Sequence, residues 1–427
     1  MLKIDEILDK SIIDKNNKNL DDLKERVSQK KVSWVFGSGI SKCAGLPLWE
    51  ECLLKMWARM LMLDKSVNNT EDEFQTALYN LKSQLDGDAT FLEKINLLIQ
   101  GEQYSEALSS INTLESAEYI KNFIEKMIGE NLPEKSEEFE RIKNATYFNL
   151  LKSSLSIENS LGNPLSLEDN ESELWGKIEH KVLGVLAQYF SAHAEESKIT
   201  VINYNFDDLL EFALMKSGLP KEKCYVKNPG TAEVLDESEG VHIYHPHGTI
   251  SVAPVSYARE SRNIVLAESD YDNLEKKTYI WENSIQAKAL HDSSCVFLGF
   301  SGEDYNFRRI IKNMEKGKER QENKHYMFIS IQSFVKKLFT EEVNRRLLGN
   351  IESRTESERE DFLKKETSEH YDDTLREVLN DKKMICEKML MVRRLYSQYL
   401  YWEEHNIIPI WTTRDELVGM IQGIIRE

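Results

Sequence analysis

The strongest constraint on this chain is a set of brief apolar runs set far apart by helical stretches. Val32–Phe36 (VSWVF), Ile199–Tyr204 (ITVINY), Cys295–Phe300 (CVFLGF), His325–Ser330 (HYMFIS) and Ile407–Trp411 (IIPIW) are rich in β-branched and aromatic side chains. Each reads as apolar on both faces, which a parallel sheet covered by helices on either side requires. Val241–Tyr244 (VHIY) is a sixth candidate and does not read as apolar on both faces. Pro409 cannot donate to a ladder, so its strand is expected to sit at an edge or to be short. The pattern predicts an α/β fold built on a Rossmann-like parallel sheet.

Between the first two strands lie about 160 residues with helical periodicity and few breakers. Trp49–Leu63, Glu71–Gln84, Phe91–Gln100, Ser105–Ser116, Glu118–Ile128, Glu137–Ser154 and Glu171–Ala194 each read as one helix. That is too long for one crossover, so 49–196 is expected to be a helical insertion in the sheet domain. A second insertion is expected over 334–404, with Glu352–Asp373 an acidic, solvated helix or loop. The sheet domain then consists of 1–48, 197–333 and 405–427. With 19 glycines and 8 prolines in 427 residues, the composition suits a helix-rich protein and excludes collagen-like or low-complexity classes.

A net charge of −18, from 73 acidic against 55 basic residues, repels polyphosphate. Direct nucleic-acid binding is therefore not expected. The five cysteines are scattered and never spaced as CxxC, which speaks against a disulfide framework and against structural zinc, and suits a reducing compartment. The first twenty residues are charged throughout, and no apolar run approaches the roughly 18 residues of a membrane helix. A soluble, cytoplasmic protein without membrane contact is expected.

Several strands end in residues suited to ligand chemistry. Val32–Phe36 runs into Gly37-Ser38-Gly39-Ile40-Ser41 and then Gly45-Leu46-Pro47. A strand, a glycine turn and a helix start together present free backbone N–H groups to a pyrophosphate, and Ser41 adds a hydroxyl donor. The turn lacks the GxxxxGK[ST] of a P-loop, and no second strand follows it as a dehydrogenase requires. Ile199–Tyr204 leads into Asn205-Phe206-Asp207-Asp208-Leu209-Leu210-Glu211. Polar side chains at the carboxyl end of a strand stand where open α/β sheets bind ligands, although Asp207 or Asn205 also suits capping of a helix over Asp208–Met215.

Val241–Tyr244 leads into His245-Pro246-His247-Gly248. On a strand His245 and His247 share one face and His242 takes the other, so the three do not converge on a metal without a break. The better reading is one histidine, His247, acting as a general base, with Gly248 leaving room for substrate beside the ring. Cys295–Phe300 ends in Gly299-Phe300-Ser301-Gly302-Glu303-Asp304, another glycine–serine turn at the same predicted sheet edge.

Together these segments resemble the sirtuin superfamily, and more closely its bacterial sirtuin-like NAD-hydrolysing branch found in anti-phage defence systems. Gly37-Ser38-Gly39-Ile40-Ser41 with Gly45-Leu46-Pro47 resembles the GAGxS…GIP signature, Tyr204-Asn205-Phe206-Asp207 resembles QNxD, and His247-Gly248 resembles the catalytic HG. Gly299-Phe300-Ser301 with Asp304 resembles the turn that holds the far end of the dinucleotide. The chain departs from deacetylase sirtuins in lacking two CxxC pairs and in placing Leu48-Trp49 where those carry Asp-Phe-Arg.

The resemblance implies hydrolysis of NAD+ to nicotinamide and ADP-ribose, with NAD+ as substrate and no zinc. It implies catalytic roles for Asn205, His247 and Asp207. Phosphate contacts fall to Gly37, Ser38, Gly39 and Ser41, and contacts at the adenosine side to Gly299, Ser301 and Asp304. It further implies an abortive-infection effector gated by homo-oligomerisation or by a partner such as a HerA-type ATPase or a short Argonaute complex. An NAD-dependent deacylase or ADP-ribosyltransferase and a non-catalytic NAD- or ADP-ribose-sensing scaffold remain as alternatives.

Overall fold

A computed structural model describes residues 4–8, 10–63, 112–129, 136–155, 171–229, 238–261, 263–276, 281–302, 304–316, 323–331, 339, 342–343, 346 and 367–426. Its strands are β1 (Val32–Phe36), β2 (Lys198–Asn203), β3 (Cys224–Lys227), β4 (Gly240–Tyr244), β5 (Ser294–Leu298), β6 (His325–Ser330) and β7 (Ile407–Thr412). They form a single seven-stranded parallel sheet in the order β3-β4-β2-β1-β5-β6-β7. The chain divides into two compact units. One holds Met1–Val35, Ala287–Ser301 and Ile311–Glu427, the other Phe36–Gln286 and Gly302–Ile310.

In the first unit, Ile331, Leu375, Val378, Leu395 and Trp411 belong to one buried apolar cluster. β7 lies at an end of the sheet, with Pro409 opposite Met327 of β6. The Asn16 side chain completes that edge by donating to the Trp411 carbonyl (2.9 Å) and accepting from the Trp411 N–H (2.8 Å). N–H groups two residues apart in a strand point the same way, so the N–H that Pro409 lacks also falls on the outer side. The proline therefore breaks no rung, and the asparagine closes the one beside it.

In the second unit, the helix Val182–His193 is buried almost all round, with Phe190 stacked on Phe36 at 6.5 Å. The expected single helix over Glu171–Ala194 is two, Glu171–Ile178 and Val182–His193, with Lys181 in an extended conformation ahead of the second. Gly184 permits this sharp break, because a Cβ there would stand 2.4 Å from the Ile178 carbonyl oxygen. Conversely, the break expected at residue 117 is absent. Thr113–Gly129 is one helix, and Ala117 is buried inside it.

The helices expected over Glu71–Gln84 and Phe91–Gln100 lie outside the described residues. Of Glu352–Asp373 only 367–373 are described, and they begin the helix Thr367–Asn380. β3 was not legible as a strand, because its four residues are all half-buried and include Lys227. It pairs with β4, so β4 is an interior strand buried along its whole length. His242 is accommodated there by stacking on Tyr225 (4.5 Å between rings) and by a hydrogen bond to the Ser238 carbonyl (2.9 Å).

Replacing Asn16 with alanine leaves two buried backbone groups of β7 without partners. We expect a loss of about 1–3 kcal/mol in unfolding free energy, read as a lower denaturant midpoint at constant m.

Candidate active site

The glycine turn is a strand exit followed by a tight helix rather than a bare loop. Gly37 is extended, Ser38–Ala44 form a 3-10 helix, and Gly45 ends it in the left-handed region (φ 90°). The first N–H groups of such a helix, here those of Ser38 and Gly39, have no partner within it. The next helix, Trp49–Leu63, is pinned to this turn by Glu51. Its carboxylate accepts the Leu48 N–H (2.7 Å), half of a capping box, and pairs with Lys42 (3.2 Å).

The carboxyl end of β2 meets this turn through Ser41. The Asn205 amide donates to the Ser41 hydroxyl (3.0 Å), which in turn hydrogen-bonds the Asp207 carboxylate. Asn205 is held from its backbone as well, its N–H donating to the Asn203 side chain (3.1 Å). The Asn205 Oδ1 is buried and has no hydrogen-bond partner. A buried acceptor left open is costly, and it is the kind of group a ligand hydroxyl or a held water satisfies.

These residues line a shallow cleft. Its polar wall is Ser38, Ser41, Asn205 and Asp207; Leu46, Pro47, Leu48, Trp49, Cys52, Leu155 and Phe206 complete it. Trp49 meets Phe206 edge-on at 4.7 Å. A mostly apolar lining with a few convergent polar groups is the usual form of a small-molecule site.

Asp207 and Asp208 divide two tasks. Asp207 accepts the Leu209 N–H (3.2 Å) at the start of the helix Leu209–Lys216 while also facing Ser41. Asp208 accepts the N–H groups of Val252 and Ala253 (both 2.9 Å) and the Ser251 hydroxyl (3.2 Å), tying down the segment after β4. Burial pushes both carboxyls up to about 6, against the hydrogen bonds that favour the charged forms.

His247 is buried behind β4. Its ring meets Tyr204 edge-on at 5.2 Å and Phe206 at 6.3 Å, the two chain neighbours of Asn205. The ring is not on the wall of the cleft. Its Nε2 lies 3.3 Å from the Asp304 carboxylate and 3.4 Å from the Tyr271 hydroxyl, and its buried Nδ1 has no hydrogen-bond partner. Burial pushes the Asp304 carboxyl up, but the His247 charge and hydrogen bonds from His247, Phe307 and Tyr271 hold it below the usual range. Asp304, grouped by its motif with the adenosine-side residues, thus has its carboxylate on His247. Gly299 and Ser301 follow β5 in the other unit, Gly299 with φ 60° and Ser301 exposed.

Gly248 does not leave open room beside His247, as its sequence context suggested. It has φ 89°, and a Cβ would stand 2.5 Å from the Asn263 carbonyl oxygen. The glycine instead lets Ser261 and residues 263–265 close on the turn, where Val265 donates to the His247 carbonyl (3.0 Å) and Ser261 to that of Thr249 (2.8 Å).

Sequence reasoning passed over His245, Glu211 and Tyr271. His245 is fully buried, with Nε2 2.6 Å from Glu211 and Nδ1 3.2 Å from the Asn205 carbonyl. Burial pulls the ring's pKa down, but the Glu211 carboxylate and the Asn205 carbonyl outweigh it and hold His245 above the ordinary value. The acid in NFDDLLE and the doubled histidine of HPHG were the available signals. Nothing in the sequence singled out Tyr271. Among the described residues, no group of three or more His, Cys, Asp and Glu side chains is arranged to hold a metal ion.

Two predictions follow from these packings. Gly248→Ala meets backbone atoms in a left-handed conformation and is expected to cost at least about 1–2 kcal/mol, measured as a lower melting temperature. Asp207 has a folded pKa above its unfolded value of 3.8, so protonation favours the fold: that stability is full below about pH 4 and is lost as pH rises through about 6. Asp207→Asn keeps a neutral side chain throughout. It is expected to stabilise the protein by up to about 3 kcal/mol at pH 7–8 and by nothing near pH 4, read from paired denaturation curves.

No curated protein matches this chain. A family model does: residues 199–354 match the SIR2-like domain. The matched stretch is less than half of the chain and contains Asn205, Asp207, His247, Gly299, Ser301 and Asp304, while Gly37, Ser38, Gly39 and Ser41 precede it. The match supports kinship with the sirtuin-like family and, at that level, chemistry that uses NAD+.

Proposed function

We propose that the protein is an NAD+ glycohydrolase that transfers the ADP-ribosyl group of NAD+ to water. The bond between C1′ of the ribose and the nicotinamide nitrogen breaks, and its electron pair neutralises the cationic ring, so the leaving group needs no proton. Water forms the new bond to C1′ and loses a proton to a base. The products are nicotinamide, ADP-ribose and a proton.

The observation that carries this reading is the unpartnered Asn205 Oδ1 in a cleft that begins at the glycine turn, within a chain that matches the SIR2-like domain. In the proposal, Asn205 holds the water or a ribose hydroxyl. The N–H groups at Gly37, Ser38 and Gly39 take the phosphates, and Ser41 orients Asn205 and Asp207. Asp207 lies on the cleft wall with its carboxyl tuned to about 6, so its charge can balance the positive nicotinamide or the cationic ribose of the transition state. His247 is the base, reached once substrate displaces the apolar packing at Phe206. No step requires a metal.

An activity that consumes NAD+ is toxic to the cell that makes it, so we further propose a gated effector of anti-phage abortive infection. Gating by self-association has one supporting feature. The helix Ile385–Glu404 exposes Met389, Val392, Tyr396 and Leu400, three or four residues apart. Antiparallel pairing with the same helix of a second copy would cover that apolar stripe. A HerA-type ATPase or a short Argonaute complex is the alternative gate.

Purified protein incubated with NAD+, alone and with the product of the adjacent gene, is expected to yield nicotinamide and ADP-ribose in equal amounts. Asn205→Ala and His247→Ala should each lower this turnover by at least roughly 100-fold with little change in melting temperature. Unchanged turnover in both variants would overturn the assignment. Transfer of an acyl group from a lysine peptide would favour a deacylase, and tight NAD+ binding without nicotinamide release would favour a sensor.

A further inference from the structure

The surroundings of His247 are more specific than a base in a cleft requires. Two groups face its Nε2: the Asp304 carboxylate at 3.3 Å and the Tyr271 hydroxyl at 3.4 Å. The single proton of that hydroxyl is committed, because Tyr271 donates it to Asp304 Oδ2 (2.9 Å). What remains towards the ring is a carboxylate oxygen and the lone pairs of a phenol oxygen. Both are acceptors, so Nε2 must carry a proton. A neutral imidazole has one N–H, which leaves the lone pair on Nδ1, the buried atom without a partner.

The rings of Tyr204 and Tyr271 bracket the imidazole edge-on at 5.2 and 5.5 Å, which restricts its rotation. Asp304 is itself fixed, since its other oxygen accepts the Phe307 N–H (2.7 Å) at the head of the helix Tyr305–Lys316. The segment that carries Asp304 and the segment that carries His247 are thus locked to one another through Tyr271.

We propose that Asp304 and Tyr271 are positioning residues that hold His247 as the Nε2–H tautomer and make Nδ1 the basic atom of the reaction. Water, or a ribose hydroxyl, gives its proton to Nδ1. The resulting imidazolium is stabilised by the buried Asp304 carboxylate, and the proton leaves to solvent when products depart. This assignment rests on the glycohydrolase reading for its chemistry, but the tautomer is a property of the resting protein. It also moves Asp304 from the adenosine end of the site, where its motif placed it, to the reacting end.

Asp304→Asn is the informative variant, because asparagine caps a helix as well as aspartate and so spares the Phe307 contact. Its amide can present a donor to Nε2 and favour the wrong tautomer. With the full chain and NAD+, we expect kcat to fall by at least roughly 100-fold while KM stays within about twofold. Tyr271→Phe should lower kcat by a smaller factor, again without raising KM. In parallel, 15N NMR of the histidine-labelled chain, with His247 assigned by its absence in His247→Gln, should show the Nε2–H form in the native protein and a shift towards Nδ1–H in Asp304→Asn.

A raised KM with unchanged kcat in Asp304→Asn would give that residue a role in holding substrate and overturn the proposal. So would native turnover in that variant, or an Nδ1–H tautomer in the native protein. Should the native chain release no nicotinamide under any condition, the glycohydrolase reading falls, and the NMR result still decides whether Asp304 and Tyr271 fix the ring. Should Asp304→Asn fail to fold, Tyr271→Phe and the native tautomer decide it.

Discussion

The second unit depends on how buried polar groups at the carboxyl ends of β2 and β4 find partners. Past the last rungs, the two segments still run together. Ile250 donates to the Phe206 carbonyl at 2.6 Å, Asp207 bridges to Ile250, and Asp208 takes the amides of Val252 and Ala253. Each bond removes a donor or acceptor that burial would otherwise penalise by about 1–3 kcal/mol. Because so many of these groups are paired, the unpaired ones stand out. Asn205 Oδ1 and His247 Nδ1 are among them, and they are the two atoms that the proposed reaction uses.

The same network explains why so few side chains supply a site. Ser41 joins the glycine turn to Asn205 and Asp207, and the Glu211–His245 pair holds the Asn205 carbonyl from below. Asn205 is therefore fixed at its amide, its backbone N–H and its carbonyl, with one oxygen free. His247 is fixed at one nitrogen with the other free. Groups held in this way keep their orientation in the resting protein. Burial raises both carboxyls: at Asp207 it prevails and carries the value to about 6, while at Asp304 the His247 charge and the hydrogen bonds from His247, Phe307 and Tyr271 overcome it and hold the carboxyl below the usual range.

Much of this was legible in the residues. VSWVF, HYMFIS and IIPIW declared themselves as buried strands because an apolar run of that length fits little else between helices. Pro409 announced an edge, because it lacks the donor an interior rung requires. The polar residues after β2 and β4 were legible as a strand-end set, because they directly follow the last residues of their strands. What was not legible has equally plain causes. β3 is short and half-buried, so it carries no apolar signal. The break before Val182 is set by a carbonyl of the preceding helix closing on Gly184, a contact no local pattern records.

The sequence by itself determined six of the seven strands, the helix-rich composition, the glycine turn and the identity of the groups at the strand ends. These follow from local periodicity and from what individual side chains can do. Only the tertiary structure decided which of those groups face one another. Asp304 is 57 residues from His247 and Tyr271 is 24, yet their atoms lie within 3.4 Å of the imidazole. Hydrogen bonding and desolvation act over a few ångströms in space and are indifferent to distance along the chain. The chemistry of each residue could therefore be read from its letter, while its partner, its tautomer and its charge waited on the fold.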